Sequence, residues 1–350
     1  MIRCAGAVLA GLMACSGRSN VPVGSRTGPA IAAALAAAET SREPWRCAAP
    51  DGPSVADETL TTGTHQWGLG ARVMKLDATG EIAIGVFADA AGSAPETLAA
   101  LGRLRRKLSR VDLAISLGGM GATRAELEAV FAVLTDRAAW PLVALPGDLE
   151  PVPAQTEAIA AVRQQGAAVI DGRLLQRIEL PAATIALVPG AGAASRLAAG
   201  MDGCAYRAAD VTAVFADLTP RAGLRILASA EAPREFGPGD RGEPTGELAL
   251  TAGAGQQSDE RSGIAGGGAP DSFAGGAGVL PRGIDVALHG PTSGAATPAC
   301  RGQRDGSAVS VTPGSSDATP RLPGPRRAPT AGILTLRGDV WTWRPIEDIK

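Results

Sequence analysis

Between Glu81 and Gly166 short apolar runs alternate with longer stretches of helical periodicity, and this alternation constrains the fold more than any other feature of the chain. The runs EIAIGVFAD, VDLAISLGG and WPLVALPGD are too short for helices. They are nearly continuous in apolar residues, as strands covered on both faces are. Between and after them, SAPETLAALGRLRRKLS, ATRAELEAVFAVLTD and VPAQTEAIAAVRQQG repeat leucine, alanine and valine at helical spacing. Ser93 is the expected cap of the first helix, with Pro95 in its first turn, and Gly166 the expected stop of the third. Strands separated by a whole helix pair in parallel, so these segments predict one parallel sheet with helices on its faces.

Farther along, AAVI, QRIEL, TIALVPG, GLRILAS, IDVALHG, AVSVTPG, AGILTLRG and VWTWRP continue as short strands while helical periodicity thins out. That change predicts a second sheet packed on the first. The expected fold class is α/β, a layered β-sandwich flanked by helices. At 350 residues and 45% hydrophobic composition the chain has enough apolar surface for a full core. Residues 81–345 are expected to form this domain. The segment 237–283, rich in glycine, proline and serine, is expected to be a disordered insertion within it, and SDATPRLPGPRRAPT a shorter loop of the same kind. Residues 15–80 are expected to be a tether and lead-in, with a short helix at 29–38.

The N-terminus, MIRCAGAVLAGLMACSG, combines Arg3, a brief apolar run and Leu-Met-Ala-Cys at positions 12–15. This resembles a bacterial lipoprotein signal, so residues 1–14 are expected to be removed and Cys15 lipidated, anchoring the protein to a membrane. Ser16 after the cysteine points to the outer membrane of the cell envelope. A formal net charge of -2 gives no electrostatic footprint for nucleic acid. Cys47, Cys204 and Cys300 remain for one disulfide and one leftover thiol in an oxidising envelope, with the pairing open.

In open α/β sheets ligand sites lie beyond the carboxyl ends of the strands. The loops there read FADAAG, LGGMG, LPGDLEP, LASAEAPR and LHGPTSG, and the first three recur at a spacing of about thirty residues. In frame and order this series resembles the calcineurin-like metallophosphoesterases. Their corresponding loops carry Asp-x-His, Gly-Asp, Gly-Asn-His-Asp/Glu, a lone histidine and Gly-His-x-His.

The resemblance implies a two-metal hydrolytic site, but most of its ligands are replaced here. Asp89 keeps the first aspartate, while Ala91 stands for its histidine and Gly119 for the bridging aspartate. Asp148 replaces the asparagine and Leu149 the catalytic histidine, although Gly147 and Glu150 fit the pattern. Ala230 stands for the lone histidine, and Pro291 and Ser293 for the final pair. Alanine, leucine, proline and glycine side chains offer no donor, and a two-metal centre needs about three protein ligands per ion.

The expectation is therefore a non-catalytic, lipid-anchored envelope protein that uses the scaffold to bind a protein or ligand and holds no cofactor. The alternative is a divergent phosphoesterase with a single divalent cation at Asp89 and Asp148, joined by His289. His65 lies upstream of the matching region. VPGAGAAS, Val188–Ser195, is a loose dinucleotide-loop match whose last glycine is replaced. Trp341 and Trp343 alternate with threonine as packing residues of a terminal strand.

Overall fold

The computed structural model describes residues 46–49, 52–192, 202–218, 223–231, 284–290, 299–302, 309–317 and 329–348. The signal-like segment with Cys15, the 29–38 helix, the 237–283 insertion, and the positions Pro291 and Ser293 lie outside these residues.

The expected alternation forms a six-stranded sheet. Strands β4 (Ile82–Phe87), β5 (Leu113–Leu117), β6 (Leu142–Leu145) and β7 (Val169–Asp171) are neighbours in that order and run parallel. Helices α1 (Pro95–Lys107), α2 (Arg124–Thr135) and α3 (Val152–Gln164) connect them. Strand β14 (Thr330–Arg337) pairs antiparallel with β4, and β15 (Val340–Glu347) forms the edge beyond it. On β14, Gly332 leaves room for a ring: a Cβ there would fall 1.9 Å from the Trp343 side chain.

Helix boundaries follow local chemistry. Thr123 caps α2 through a capping box, in which its hydroxyl accepts from the Glu126 amide and the Glu126 carboxylate accepts from the Thr123 amide. Gly166, at φ 91°, takes the left-handed turn that ends α3. Ser93 does not cap α1: the N-cap position is Ala94, without a side-chain hydrogen bond, and Pro95 opens the helix instead.

A nine-stranded sheet packs on the first. Its order is β1 (Glu58–Thr62), β2 (His65–Gly70), β3 (Val73–Leu76), β8 (Arg177–Leu180), β9 (Ala183–Val188), β10 (Leu224–Ser229), β11 (Val286–His289), β13 (Val309–Thr312) and β12 (Ala299–Gly302). Strands β9, β10, β11 and β13 are parallel. The layered sandwich is thus as expected, but the packed region starts earlier. Residues 58–76, assigned to the lead-in, supply three antiparallel strands, with Trp67 fully buried and its indole N–H donating to Thr62 Oγ1 at 3.1 Å.

Alternate residues divide each sheet between two environments. Ile84, Val86, Ile115 and Leu117 face Ile185, Ile226 and Leu288 in the core between the sheets. Phe87, Ala114 and Ala144 face the helices, where Leu101, Leu104 and Phe131 pack on them. On the outer face of the larger sheet, Val188, Leu227 and Ala287 meet Val211 and Phe215 of α4 (Ala208–Ala216). Each fully buried large side chain contributes about 1.5–3 kcal/mol, so a one-residue slip of any central strand would be costly.

A short N-terminal strap is pinned to this outer layer. Cys47 and Cys204 form a disulfide with Cα atoms 5.5 Å apart, which settles the pairing left open by the sequence. Arg46 makes a buried ion pair with Asp210 of α4, and the Arg72 guanidinium donates to the Ala49 carbonyl.

Candidate functional site at the carboxyl ends of the strands

The loops that follow β4, β5, β6, β10 and β11 converge at one end of the sandwich, where the two sheets meet. The loop after β4 is bonded to the loop after β5 by continued pairing. The Asp89 amide donates to the Gly118 carbonyl at 2.9 Å, Ala91 to Gly119 at 2.7 Å, and Gly92 to Met120 at 3.1 Å. From the other side Ser315 Oγ donates to the Asp89 carbonyl at 2.9 Å, and the Ser316 amide to the Ala88 carbonyl at 2.9 Å.

This path requires left-handed backbone at Asp89 (φ 52°), Ala91 (φ 60°), Gly118 (φ 79°) and Gly119 (φ 72°). Aspartate tolerates that conformation better than most residues. Asp89 therefore has a structural role in shaping this turn.

The loop after β6 is held by a buried carboxylate. Glu150, 1% exposed, accepts from the Met120 amide with one oxygen and from the Gly147 amide with the other, the latter at 2.8 Å. One side chain thus ties the β5 loop to the β6 loop. Burial pushes its carboxyl up to about 7, with the neighbouring charge of Asp148 adding to the rise and the two amide hydrogen bonds opposing it.

The loops approach so closely that several positions admit only glycine. A Cβ on Gly118 would lie 2.7 Å from the Gly147 Cα and 3.0 Å from the Ala230 Cβ. One on Gly119 would lie 2.8 Å from the Asp89 Cα, and one on Gly290 2.3 Å from the Ala230 carbonyl oxygen. Contacts below 3.0 Å are not sustained by real Cβ atoms.

Asp89, Gly119, Gly147, Ala230 and Gly290 therefore belong to one cluster, as the loop frame implies, and Asp148 and Leu149 sit half-buried beside it. His289 does not join it. Along β11, Val286 and Leu288 face the inter-sheet core and Ala287 the outer layer, so alternation puts His289 on the outer face with Ala287. Its ring Nδ1–H donates to the Gly290 carbonyl at 2.7 Å. His65 is also elsewhere, bonded to Asp112 at 2.8 Å near the start of β5.

A two-metal centre does not fit these residues. Of the described positions the resemblance implies, Asp89, Asp148 and Glu150 carry donors, those of Glu150 already accepting from the Met120 and Gly147 amides, while Ala91, Gly119, Leu149 and Ala230 carry none. Among the described residues no three His, Cys, Asp or Glu side chains come together to hold an ion.

Ser315 and Glu150 are the cluster members whose contacts sequence reasoning left out. The turn Thr-Pro-Gly-Ser-Ser after β13 is a loop signal at the same sheet end, and Glu150 matches the last position of its loop pattern.

The fold and site together define a two-sheet α/β sandwich whose strand-end loops meet in a closed cluster. No family model and no curated protein matches the sequence. Solved structures share its fold. The chain is similar to a protein of Thermus thermophilus at 13% identity and a TM-score of 0.43, covering 77% of this chain and 99% of that one. It is similar to a calcineurin-like phosphoesterase of Bacillus subtilis at 8% identity and a TM-score of 0.39, over 77% and 91% of the two chains. It is also similar to a purple acid phosphatase from yellow lupin (Lupinus luteus) seeds, at 10% identity and a TM-score of 0.40, over 81% and 56%. At this level the likeness concerns the arrangement of sheets and helices and assigns no residue a role.

Proposed function

We propose that the chain is a non-catalytic, lipid-anchored protein of the bacterial envelope that uses a degenerate metallophosphoesterase-like domain to bind a protein or ligand. The observation that carries the reading is the loop cluster. At Gly119 and Ala230, where the resembled enzymes place metal ligands, no side chain offers a donor, and the loops around them pack closely.

Two-metal hydrolysis depends on ions that lower the pKa of a bound water from about 15.7 to about 7. Asp89 and Asp148 alone supply too few donors for two ions. The envelope assignment is supported by the Cys47–Cys204 disulfide, since such bonds form and persist in oxidising compartments. It is supported also by the lipobox-like residues before Cys15. Anchoring would place the domain at a membrane surface without a spanning segment. Among the described residues no helix is long and apolar enough to cross a bilayer.

The test is an assay of the purified protein with manganese, zinc, nickel or magnesium against generic phosphomonoesters and phosphodiesters. No turnover above background is expected. Turnover that disappears in Asp89→Ala and Asp148→Ala would overturn the reading in favour of a divergent phosphoesterase using one divalent cation at those carboxylates. Labelling of the expressed chain with a radioactive fatty acid tests the anchor, with incorporation expected in the wild type and lost in Cys15→Ala.

A further inference from the structure

The stretch RLRRKLSR, residues 103–110, puts five basic side chains at the end of α1 and just beyond it, and nothing in the functional reading uses them. Two of the five are neutralised. Arg103 grips Asp348 with two nitrogens, at 2.8 and 2.7 Å, and Arg105 donates to Asp136 at 2.9 Å. Lys107, Arg106 and Arg110 are exposed. Lys107 donates to the Glu347 carbonyl, an uncharged acceptor, and among the described residues Arg106 and Arg110 make no ion pair. The Arg105–Asp136 pair joins the ends of α1 and α2 and so brings Arg137, its side chain 93% exposed, to the same end. Arg344 of β15 adds a fifth exposed cation. It stands opposite Ile333 and alternates with Ile346, both of the helix-side core, so it shares the side of the smaller sheet that α1 covers. Glu347 alternates to the other face of β15, and Asp112 is turned to His65. Elsewhere in the domain exposed arginines sit against carboxylates, as Arg124 does with Glu157 at 3.2 Å and Arg163 with Glu58 at 2.7 Å.

We propose that this basic face, made by Arg106, Lys107, Arg110, Arg137 and Arg344, rests on the anionic headgroups of the membrane that carries the anchor and turns the strand-end loops away from the lipid. The proposal rests on the lipid-anchored reading, which brings the domain to a membrane, and adds which face meets it. The tether selects no face. Arg46, where the described chain begins, lies about thirty residues after Cys15, and an extended chain of that length spans up to about 100 Å. Charge selects one. The negative ends of the two helix dipoles take up about half a charge each, less than five cations supply. Each basic residue within a Debye length of an anionic surface strengthens the association about fivefold. The opposite end, where α1 and α2 begin, carries Asp89, Glu126, Asp148 and Glu231, which the same surface repels. Val340 is the exposed large apolar side chain among the described residues, so the contact is with headgroups and depends on salt.

The chain has three lysines, at 75, 107 and 350, and their scarcity makes the face readable without a variant. Lys107 belongs to the basic face. Lys75, on β3 of the larger sheet with its side chain 55% exposed, is the internal control. The full chain is added to vesicles of phosphatidylglycerol with phosphatidylcholine, or of phosphatidylcholine alone. It is then labelled with a neutral, water-soluble amine-reactive ester, and each lysine is followed by peptide mass spectrometry. On the anionic vesicles Lys107 is expected to react about fivefold more slowly than on the neutral ones, with Lys75 unchanged and the difference gone in about 0.5 M salt.

The variant Arg106→Glu/Arg110→Glu/Arg344→Glu, changed at exposed positions, is expected to lose the slowing at Lys107 and to keep fatty acid on Cys15. Equal Lys107 rates on the two kinds of vesicle overturn the proposal, as does a Lys75 slowed as much as Lys107, which places a different face on the lipid. Slowing that survives in the triple variant overturns it too. Failure of the wild type to incorporate fatty acid sinks the anchor reading separately: Lys107 still slowed by anionic vesicles in such a chain keeps the basic face, and equal rates there remove both.

Discussion

Replacing Cys47 and Cys204 together by alanine is expected to lower the free energy of unfolding by up to about 5 kcal/mol, the largest effect anticipated for any change in this protein. The bond joins residues separated by 157 positions, and the chain-entropy cost of an open loop grows with the logarithm of its length. In the folded protein the bond ties the strap at 46–49 to the Cys204–Tyr206 segment. That segment pairs with Ala191 after β9 and is capped by α4. Without it, the strap would be held by the buried Arg46–Asp210 pair, the Arg72 bond to the Ala49 carbonyl and the Cys47 amide bond to the Ala205 carbonyl, and a buried pair stabilises less than its Coulomb energy suggests. Urea unfolding of the double variant beside Cys300→Ala is the measurement. A loss below about 1 kcal/mol would show that the strap is held by its polar contacts and that the disulfide adds little.

Glu150 carries the second large effect. Truncation to alanine removes both acceptors of the Met120 and Gly147 amides in a buried place, at about 1–3 kcal/mol for each unsatisfied donor. Its linkage to pH has a definite sign. The folded carboxyl titrates near 7 while the unfolded one titrates near 4.5, so between those values the folded state binds more protons. The stability contributed by this group is complete below about pH 4.5 and is lost as pH rises through about 7, for a total of about 3 kcal/mol. Glu150→Gln removes that slope and turns one amide toward a donor. Unfolding free energies of wild type and Glu150→Gln between pH 4.5 and 8 test this. A wild type whose stability changes no more steeply than the variant's would mean that Glu150 is already ionised in the fold.

Much of this architecture is legible in the sequence because strands β4, β5 and β6 are buried on both faces and read as unbroken apolar runs. Strands β1, β2 and β3 escape that reading. In HQWGLG only Trp67 and Leu69 are buried, while Gln66 and Gly68 face solvent, so the segment shows a weak alternation in place of a run. The same physics hides α4, nine residues long, whose boundaries depend on Asp210 bonding back to the Arg207 amide. At the site, the sequence names the loops but not how they meet. That Glu150 ties the Met120 and Gly147 amides together depends on two loops thirty residues apart folding against each other.

By itself, then, the sequence determined the layered α/β sandwich, the order of its central strands, and the lack of a donor side chain at Ala91, Gly119, Leu149 and Ala230. These are local properties: periodicity sets the element, and a side chain without a donor has none in any fold. The tertiary structure decided that Cys47 pairs with Cys204, that residues 58–76 extend the larger sheet, and that Glu150 clamps two loops. Each of these depends on atoms distant in the chain meeting within a few ångströms. Such meetings are fixed by how two whole sheets pack on a shared core, which no short window of residues contains.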